Sequence, residues 1–377
     1  MKQHKKTLKA LTAGIVAIAM LGTFVGCGSS GGGGTAGGSA SGESGFKKVS
    51  IEGGFLGQID AWPSYYSINN GIAEKYGIDM QMMFFDSGMP MIQTVPSNEL
   101  AVMDTGNVPG LMAALRYDAP IIGIASNEGP ANAIVCRPDN AAVDHKNANP
   151  DFPEILGNAD DLRGKTILCT TVSSGHYMLF KYLTALGLTE DDVTVKNLEQ
   201  AQAITAFESG EGDYLVLWTP YLYRAFEKGW VELANGDQVG AANLMLWLGD
   251  PKLAADDQDD VIARCLAMND AGVQKYQKDG DSLVPDIVNF FADFAAMDIS
   301  DDDAGLDIKT HTLYTLEEQK ELIDSGKLLE DMRDAATFFQ GQNTLTADEV
   351  KNLEDKKYCI DGKFIDKAIE IRDSVEG

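Results

Sequence analysis

Short apolar runs alternate with amphipathic segments from Lys48 to about Gly236, and this alternation limits the possible fold more than any other feature. Strand-length runs separated by helix-length segments are typical of parallel sheets covered by helices. The strands predicted in this region are Lys48–Glu52, Ile78–Phe85, Leu100–Met103, Pro120–Ser126, Ala133–Cys136, Lys165–Thr170, Val193–Lys196 and Tyr214–Trp218. The pattern indicates an α/β protein with two lobes.

Helical periodicity fills the spaces between these strands and dominates the remainder of the chain. The helices predicted between the strands are Pro63–Tyr76, Met89–Val95, Asn107–Arg116, Gly175–Leu186, Gln200–Glu208 and Pro220–Lys228. Those predicted further on are Asp259–Tyr276, Leu283–Ala295, Leu316–Ser325, Leu328–Phe339, Ala347–Asp355 and Asp366–Ser374. We therefore expect C-terminal helices that wrap the two lobes.

Residues 1–26 differ from all that follows and read as a signal peptide. Four lysines precede an apolar stretch from Ala10 to Val25, which is short for a membrane span. Phe24-Val25-Gly26-Cys27 resembles the lipobox of bacterial lipoproteins, which would make Cys27 the lipidated first residue; an ordinary signal peptide with an incidental cysteine is the alternative. Residues 28–45 hold 14 Gly or Ser among 18 positions, so residues 27–45 read as a lipidated Cys and a flexible tether.

Composition excludes several classes of function. The 377 residues include 30 Lys+Arg and 57 Asp+Glu, a formal charge of −27, and so acidic a surface does not favour nucleic acid. Four histidines and five scattered cysteines offer little for a metal site or a disulfide framework, and we expect no metal and no cofactor. The hydrophobic share of 44% allows a sizeable core. The classes of function that composition leaves open are a receptor for small molecules and an enzyme that acts on them.

Polar residues recur where predicted strands lead into helices. Such turns are Asp86-Ser87-Gly88, Asp104-Thr105-Gly106-Asn107, Ser173-Ser174-Gly175-His176 and Trp218-Thr219-Pro220-Tyr221. Ligands collect at the carboxyl ends of parallel strands, and the N-termini of helices there attract anions. Each turn alone is more often a helix cap, but their repetition favours a binding site for a small anionic group.

Several motifs in one order resemble a known family. Asp161-Leu162-Arg163-Gly164-Lys165, Ser173–Tyr177 and Trp218–Tyr221 resemble, together with residues 54–70, 84–95 and 101–114, the nitrate/sulfonate/taurine class of substrate-binding proteins for ABC importers. The resemblance covers most of Lys48–Gly236. It implies a two-lobed α/β fold of the periplasmic-binding-protein type (type II) with additional C-terminal helices. Residues 46–135 and 240–377 would form lobe 1, and residues 136–239 lobe 2.

The resemblance also implies positions for the binding residues. Ser173, Ser174 and His176 would hold the anionic group, while Thr105, Gly106 and Asn107 would face it from the other lobe. Trp62, Trp218 and Tyr221 would form flat apolar walls. The remaining candidates are Gln58 and Asp60, in the loop after the first strand, and Ser87, at the turn before the second helix. The chain departs from the family's pattern at residues 95–99 and in its Gln58–Trp62 loop.

The acids near these loops leave the ligand open. Asp60, Asp86, Asp104 and Glu128 could compensate an ammonium group on a zwitterion such as taurine, or could cap helices and face water. If two of them face the cleft, they would repel a bare anion. An aminosulfonate, an amino acid-like compound or a cationic heterocycle would then suit the cleft better than nitrate.

Three other features favour structural roles. Cys136 and Cys169 are expected to be buried thiols, although a disulfide between them is possible in an exported protein if their Cα atoms lie within about 7 Å. The five methionines of Met80–Met91 fit a core strand better than a metal site. The acidic run Asp301–Asp303 is predicted to be a solvated turn.

The sequence predicts a lipid-anchored, extracytoplasmic, monomeric receptor that delivers a sulfonate- or taurine-like solute to the permease of an ABC transporter. An alternative is a pyrimidine-precursor (thiamine-related) binding protein, or a synthase-like enzyme on the same fold. The enzyme would need an iron centre, and His145, His176 and His311 show no ligand-like spacing. A structural role, such as an adhesin, stays open. We expect a binding protein without catalysis.

Overall fold

The computed structural model describes residues 45–147, 149–355 and 360–376, and two separate sheets organise them. The strands are β1 (Val49–Leu56), β2 (Ile78–Phe85), β3 (Leu100–Gly106), β4 (Ile121–Asn127), β5 (Asn132–Cys136), β6 (Thr166–Cys169), β7 (Thr194–Asn197), β8 (Tyr214–Trp218), β9 (Val231–Asn235), β10 (Leu244–Gly249) and β11 (Thr312–Leu313). One sheet has the order β11-β4-β10-β3-β1-β2, and the other has the order β7-β6-β8-β5-β9.

Helices follow the strands and continue through the C-terminal part. They are α1 (Trp62–Asn69), α2 (Ile72–Lys75), α3 (Gly88–Ile92), α4 (Asn107–Tyr117), α5 (Ala159–Leu162), α6 (Ser174–Ala185), α7 (Gln200–Glu208), α8 (Tyr221–Glu227), α9 (Pro251–Ala255), α10 (Val261–Asp279), α11 (Val284–Phe294), α12 (Asp301–Thr310), α13 (Leu316–Asp324), α14 (Lys327–Gly341), α15 (Ala347–Asp355) and α16 (Lys363–Glu376). Short 3₁₀ turns lie at Ile59–Ala61, Val95–Ser97, Gly129–Ala131, Ala141–Asp144, Glu190–Asp192, Asp237–Val239 and Gly280–Leu283.

Both sheets are mixed, which corrects the expectation of parallel sheets. β1 pairs in parallel with β2 and β3, but β10 runs antiparallel between β3 and β4. In the second sheet β6 is parallel to β7 and β8, and β5 lies antiparallel between β8 and β9. The antiparallel strands arise because the chain crosses between the sheets twice, from β4 to β5 and from β9 to β10.

These crossings bear on the predicted lobes. The predicted boundary at residues 135 and 136 falls inside β5, all five residues of which pair with β8 of the second sheet. The other boundary, at residues 239 and 240, lies between β9 and β10, in the connection that returns to the first sheet. The division into lobes 46–135 with 240–377 and 136–239 stays a prediction.

Apolar side chains form a continuous buried core under both sheets. The central strands β8 and β10 are buried along their whole length, as expected for strands covered on both faces. The long helix α10 packs between α1 and α16 on the first sheet's side, so the C-terminal part of the chain completes that side of the molecule. Among the described residues, no helix combines the length and the apolar character that crossing a membrane requires.

Two local predictions are wrong, whereas the expectation of buried thiols is confirmed. Cys136, Cys169 and Cys265 are free, buried thiols. A bridge between Cys136 and Cys169 is prevented because β8 lies between their strands, which places them about two strand spacings, roughly 10 Å, apart. The Asp301–Asp303 run is not a loop but the first turn of α12, since Ser300 and Asp303 form a capping box. The predicted helix Pro63–Tyr76 is broken at Gly71, which has a φ of 69°.

One further prediction falls on residues that the structure does not describe, and another can be compared with it. The signal peptide, Cys27 and nearly all of the tether lie outside the described residues, as does Cys359. Ile78–Phe85 is confirmed as a strand, β2, which pairs in full register with β1 and holds Met80, Met82 and Met83, whereas Met89 and Met91 lie in α3.

Candidate functional site

The predicted turns at Thr105–Asn107 and Ser173–His176 lie against each other. Ser173 caps α6: its Oγ accepts a hydrogen bond from the His176 N–H at 3.1 Å and donates one to the Thr170 carbonyl at 2.7 Å. The next residue, Ser174, donates from Oγ to Asn107 Oδ1 at 3.0 Å. Because Asn107 begins α4 and Ser174 begins α6, the N-termini of two helices from different sheets point at the same region.

Two glycines allow this close approach. A Cβ on Gly106 would lie 2.4 Å from the Ser174 Oγ, so a larger residue would collide with the opposite turn. A Cβ on Gly88 would lie 2.2 Å from Thr105 Oγ1 and 2.5 Å from the Pro109 ring. The glycines are therefore required by the packing of one turn on another.

A small cavity lies where these turns meet. Its volume of about 20 Å³ suits about one water molecule. Five of the predicted binding residues line it: Gln58, Gly106, Ser173, Ser174 and Trp218. The lining also includes Glu128, one of the acids considered above as partners of an ammonium group. The other lining residues, which the motif analysis did not assign to binding, are Leu56, Gly88, Pro109, Asn132 and Met245. A solute of several heavy atoms fits only if the surrounding turns move apart.

Other predicted residues lie close by without lining the cavity. Trp62 is buried against Tyr66 and Tyr276, with ring centroids 5.1 and 6.1 Å away, so its predicted place in the pocket wall is instead a place in the core. Ser87 lines a neighbouring open pocket of about 200 Å³ on the other side of Gly88 and Ser173.

Thr105, Asn107, Asp60 and Tyr221 are buried around the turns rather than exposed to the cavity. The Thr105 Oγ1 has no hydrogen-bond partner among the described residues. Asn107 donates from Nδ2 to the Ala242 carbonyl at 2.5 Å, while its Oδ1 receives the hydrogen bond from Ser174. Their part in ligand binding stays a prediction.

His176 is held by protein groups. Its Nδ1 accepts a hydrogen bond from the Val172 N–H at 3.1 Å, and its Nε2 lies 2.6 Å from Glu190 Oε1. The ring packs edge-on against Phe338 and Phe339 of α14. This side chain therefore joins α6 to its surroundings instead of facing the cavity.

Four buried acids gather around one histidine beside the cavity. Asp60, Asp104, Glu128 and Asp307 are each at most 2% exposed, and their neighbour His311 is 4% exposed. His311 Nδ1 lies 3.3 Å from Asp307 Oδ1, and Nε2 lies 4.0 Å from Glu128 Oε2. Of the acids that the sequence singled out, only Asp86 is exposed.

Burial controls the protonation of these acids. Desolvation raises the pKa of Glu128 to about 8, with a further contribution from the nearby Asp60 charge, although Gln58 Nε2 donates to Glu128 Oε2 at 2.6 Å. Desolvation likewise raises the pKa of Asp60 and of Asp307, and raises that of Asp104 well above its usual value. Asp60 and Asp104 lie close enough together to affect each other's protonation.

Sequence reasoning missed Asp307 and His311. They belong to α12 and the residue after it, more than 170 positions beyond Glu128, where only a solvated turn at Asp301–Asp303 was predicted. The capping-box pattern Ser300-x-x-Asp303 was the signal that could have revealed the helix. Nothing in the local pattern indicated that this helix reaches the first sheet.

Comparison with known proteins shows what the chain resembles. No family model matches it. A putative ABC transporter periplasmic binding protein of Brachyspira hyodysenteriae is 25% identical over 366 residues, which cover 97% of this chain and 99% of the relative. A putative aliphatic sulfonates-binding protein of Bacillus subtilis is 26% identical, covering 79% and 80% of the two chains. The taurine-binding periplasmic protein of Escherichia coli is 25% identical over 48% and 52%.

Solved structures give the fold. The alkanesulfonate-binding protein SsuA of Xanthomonas axonopodis, bound to MOPS, has a TM-score of 0.62 at 16% identity, with 79% of this chain and 95% of that one covered. The nitrate-binding protein NrtA of Synechocystis has a TM-score of 0.64 at 11% identity, with 86% and 89% covered. The chain has the two-sheet periplasmic-binding-protein fold. The resemblance to substrate-binding proteins of nitrate-, sulfonate- and taurine-type importers is confirmed.

Proposed function

We propose that this protein is the solute-binding component of an ABC importer and captures a small sulfonate- or taurine-like solute between its two lobes. The observation that carries the proposal is the meeting of α4 and α6 at one cavity, where Asn107 and Ser174 are hydrogen-bonded across the gap. The names of the relatives, which are binding proteins for ABC transporters, taurine and aliphatic sulfonates, support the same function.

The anionic group of the solute would be held by the first turns of α4 and α6. The N–H groups at the start of a helix have no partner within the helix, and the helix dipole adds a partial positive charge there. The hydroxyls of Ser173 and Ser174 lie at the same place. Such a site binds an anion in spite of the strongly negative charge of the whole chain.

Binding would work by closing the lobes. In this structure Ser174 and Asn107 already touch, and the cavity between them holds about one water. A solute would enter when the lobes separate, and would then bridge them through contacts that the open form does not offer. This difference in affinity between the two forms drives closure.

The cellular setting follows from the N-terminal sequence and the relatives. We propose that Cys27 carries a lipid that anchors the protein at the extracytoplasmic face of the cell membrane, with residues 28–45 as the tether. The receptor would act as a monomer that presents its solute to the permease of the transporter. Transport of this kind needs no covalent step.

No particular observation favours the alternative of a synthase-like enzyme. The described histidines have protein partners: Asp161 for His145, Glu190 for His176 and Asp307 for His311. Within the described part of the chain, no group of His, Cys, Asp and Glu is arranged to hold a metal ion. The binding function therefore accounts for the site with fewer assumptions.

A ligand screen with a pocket variant tests the proposal. Full-length protein is heated with taurine, other sulfonates, nitrate, amino acids and pyrimidines, and a ligand at 100 times its dissociation constant adds about 2.7 kcal/mol of stability. Ser174→Ala combined with Trp218→Ala should weaken that ligand at least about tenfold, because both side chains line the cavity.

The matched control is Ser209→Ala with Trp230→Ala. Trp230 is as buried as Trp218 but packs on Phe207 away from the cavity, and Ser209 is exposed. The control should bind the ligand like the natural protein. Equal affinity of the pocket variant and the control would refute the pocket, and turnover of the ligand would refute a pure binding function.

A further inference from the structure

One wall of the cavity offers acceptors instead of donors. Glu128 follows β4 directly, and Asn132 begins β5, so both lie on the crossing between the two sheets. Both side chains line the cavity with Ser173 and Ser174. The lining thus has two poles: helix N-termini on one side, and a carboxyl and an amide on the other.

Asn132 provides an observation that is independent of the acids. Its side chain is fully buried, and its Oδ1 has no hydrogen-bond partner among the described residues. The Nδ2 of the same amide is occupied by the Glu128 carbonyl at 3.3 Å. A buried amide oxygen without a donor is costly, because it has lost water and gained nothing in return. Because Asn132 lines the cavity and its Oδ1 lacks a donor among the described residues, it indicates a ligand that brings an N–H group.

The charges around Glu128 do not satisfy it. No lysine or arginine occurs among the described residues that line the cavity. The facing groups are Gln58 and Asp60 from the loop after β1, Asn132 from β5, and Asp307 and His311 from the α12 region. His311 lies closer to Asp307 than to Glu128, at 3.3 against 4.0 Å, so its nearer carboxyl partner is Asp307. Asp104 adds another buried acid beside Asp60.

We propose that the solute carries a protonated amino group as well as its anionic group, and that Glu128 and Asn132 bind this amino group. The inference rests on the proposed function and narrows its substrate class to zwitterions of the aminosulfonate or amino-acid kind. The anionic group would lie at the starts of α4 and α6, and the ammonium group would donate to the Glu128 carboxylate and Asn132 Oδ1. A bare anion would leave Asn132 Oδ1 without a donor and would bring no positive charge to Glu128.

The protonation of Glu128 gives this arrangement a signature. Burial raises the pKa of this carboxyl to about 8, so it is mostly protonated at pH 7 when the cavity is empty. An ammonium group favours the ionised carboxylate and lowers its pKa. Binding at neutral pH therefore releases one proton from Glu128 to the solvent, and the affinity rises with pH until the free carboxyl is ionised.

The first experiment compares two probes that differ only in the amino group. Binding of taurine and of isethionate, its hydroxyl analogue, is measured by calorimetry on the full-length protein, with β-alanine and 3-hydroxypropionate as a second pair. Taurine or β-alanine should bind more tightly than its hydroxyl partner. Glu128→Gln keeps the size and the acceptor for Gln58 but removes the charge, so it should weaken the amino probe at least tenfold and leave the hydroxyl probe unchanged or tighter.

Glu232→Gln is the matched control. Glu232 is a half-buried carboxyl on β9 whose pKa is also raised by desolvation; it accepts a hydrogen bond from Asn235 and does not line the cavity. The control variant removes a carboxyl group from β9, the strand that pairs with β5 in the second sheet. It should bind both probes of a pair like the natural protein.

The second experiment needs no variant, so it stands even if Glu128→Gln fails to fold. Between pH 6 and 8 the affinity of the natural protein for the amino probe should rise by at least about tenfold, because Glu128 must lose its proton first. Calorimetry in buffers of different ionisation enthalpy should detect about one proton released at pH 6.5. A bare anion should show the opposite slope, since ionised Glu128 repels it.

The outcomes separate this inference from the function on which it rests. Tighter binding of isethionate than of taurine, or an amino probe that Glu128→Gln leaves unaffected, overturns the inference and leaves a receptor for bare anions standing. An affinity that does not change from pH 6 to 8, with no proton released, also overturns it. Failure of both probe pairs to bind contradicts the inference and the proposed sulfonate-type function together.

Discussion

Glu128 connects the site to the stability of the empty protein. Its pKa is about 8 in the folded state, because burial disfavours the charge, against an ordinary value of 4.5. The folded state therefore holds an extra proton between these values, and stability that is present below about pH 4.5 is lost as the pH rises towards 8. Burial also raises the pKa values of Asp60, Asp104 and Asp307, so these acids likewise lower the stability of the folded state as the pH rises.

We expect the free energy of unfolding to fall between pH 5.5 and 8, with Glu128 contributing up to about 3 kcal/mol at 1.36 kcal/mol per pH unit. Urea unfolding at pH 5.5 and at pH 8 measures this decrease in the free energy of unfolding. Glu128→Gln should remove the part of the decrease that Glu128 causes. Glu227→Gln, at an exposed position on α8, is the control and should keep the natural pH dependence. Equal slopes for the two variants would show that Glu128 is ionised in the empty protein.

Gly106 offers a second residue-level prediction. Its φ of −56° suits alanine, so the effect of Gly106→Ala comes from space alone. The new Cβ would displace the Ser174 Oγ and break its hydrogen bond to Asn107, a loss of about 1 kcal/mol. We expect ligand affinity to fall about fivefold, measured by calorimetry.

Gly305→Ala on α12 is the counterpart, because its Cβ would meet only Val284 Cγ2 at 3.8 Å. This change should leave ligand affinity as it is and slightly stabilise the helix. If both alanine variants bind alike, the contact between the two turns does not contribute to the bound state.

At the scale of elements, α14 joins the two halves of the site. It packs on α4 beside the first sheet, and its Phe338 ring stacks on Phe180 of α6 with centroids 4.0 Å apart. Asp334 of the same helix accepts hydrogen bonds from Tyr177 and from Lys181, the latter at 2.6 Å. The helices proposed to bind the anionic group are thus held together by a third helix outside the cavity.

We expect Phe338→Ala to shift the protein towards an open form, because the aromatic contact between α14 and α6 is lost while each sheet keeps its own core. Small-angle X-ray scattering should show a larger radius of gyration for the empty protein, and ligand affinity should fall. Phe364→Ala, an equally buried phenylalanine on α16, should cost stability without either change. Identical scattering of Phe338→Ala and the natural protein would contradict this role of α14.

The elements also show what the sequence could predict. Ile78–Phe85, Gln200–Glu208 and Tyr214–Trp218 were predicted with their final bounds, because each lies within the alternation of strands and helices that ends near Gly236. β8 and β10 are both apolar throughout, but β10 lies beyond Gly236, where no alternation separates a strand from a helix, and it was missed. α12 was missed because its three leading acids look like a solvated turn.

The site was predictable only in part, for the same kind of reason. Ser173, Ser174 and Gly106 carry local signals, a cap and a turn glycine, that place them at strand ends. Trp62 carries no signal that distinguishes a pocket wall from the core, where it lies. Glu128, Asp307 and His311 come together through the first sheet and the C-terminal helices, and long-range pairing of this kind leaves no mark on a local pattern.

At the scale of the whole molecule, the two crossings determine how the halves can move. β4 to β5 and β9 to β10 are the chain segments that pass directly between the sheets, and Glu128 N–H donates to the Asn243 carbonyl at 2.8 Å where they run side by side. A rotation of one sheet relative to the other bends both segments at this point. Glu128 and Asn132 are part of the first crossing, so an occupant there lies at the axis of the movement.

The water-sized cavity has a consequence for the rate of uptake. A shut cleft with space for about one water cannot admit a solute by diffusion alone, so capture must wait for a spontaneous opening. For the receptor proposed above, the rate of ligand binding at a high concentration of solute then no longer depends on that concentration. It equals the rate at which the cleft opens. The speed of the receptor is in this way governed by the contacts that hold it shut.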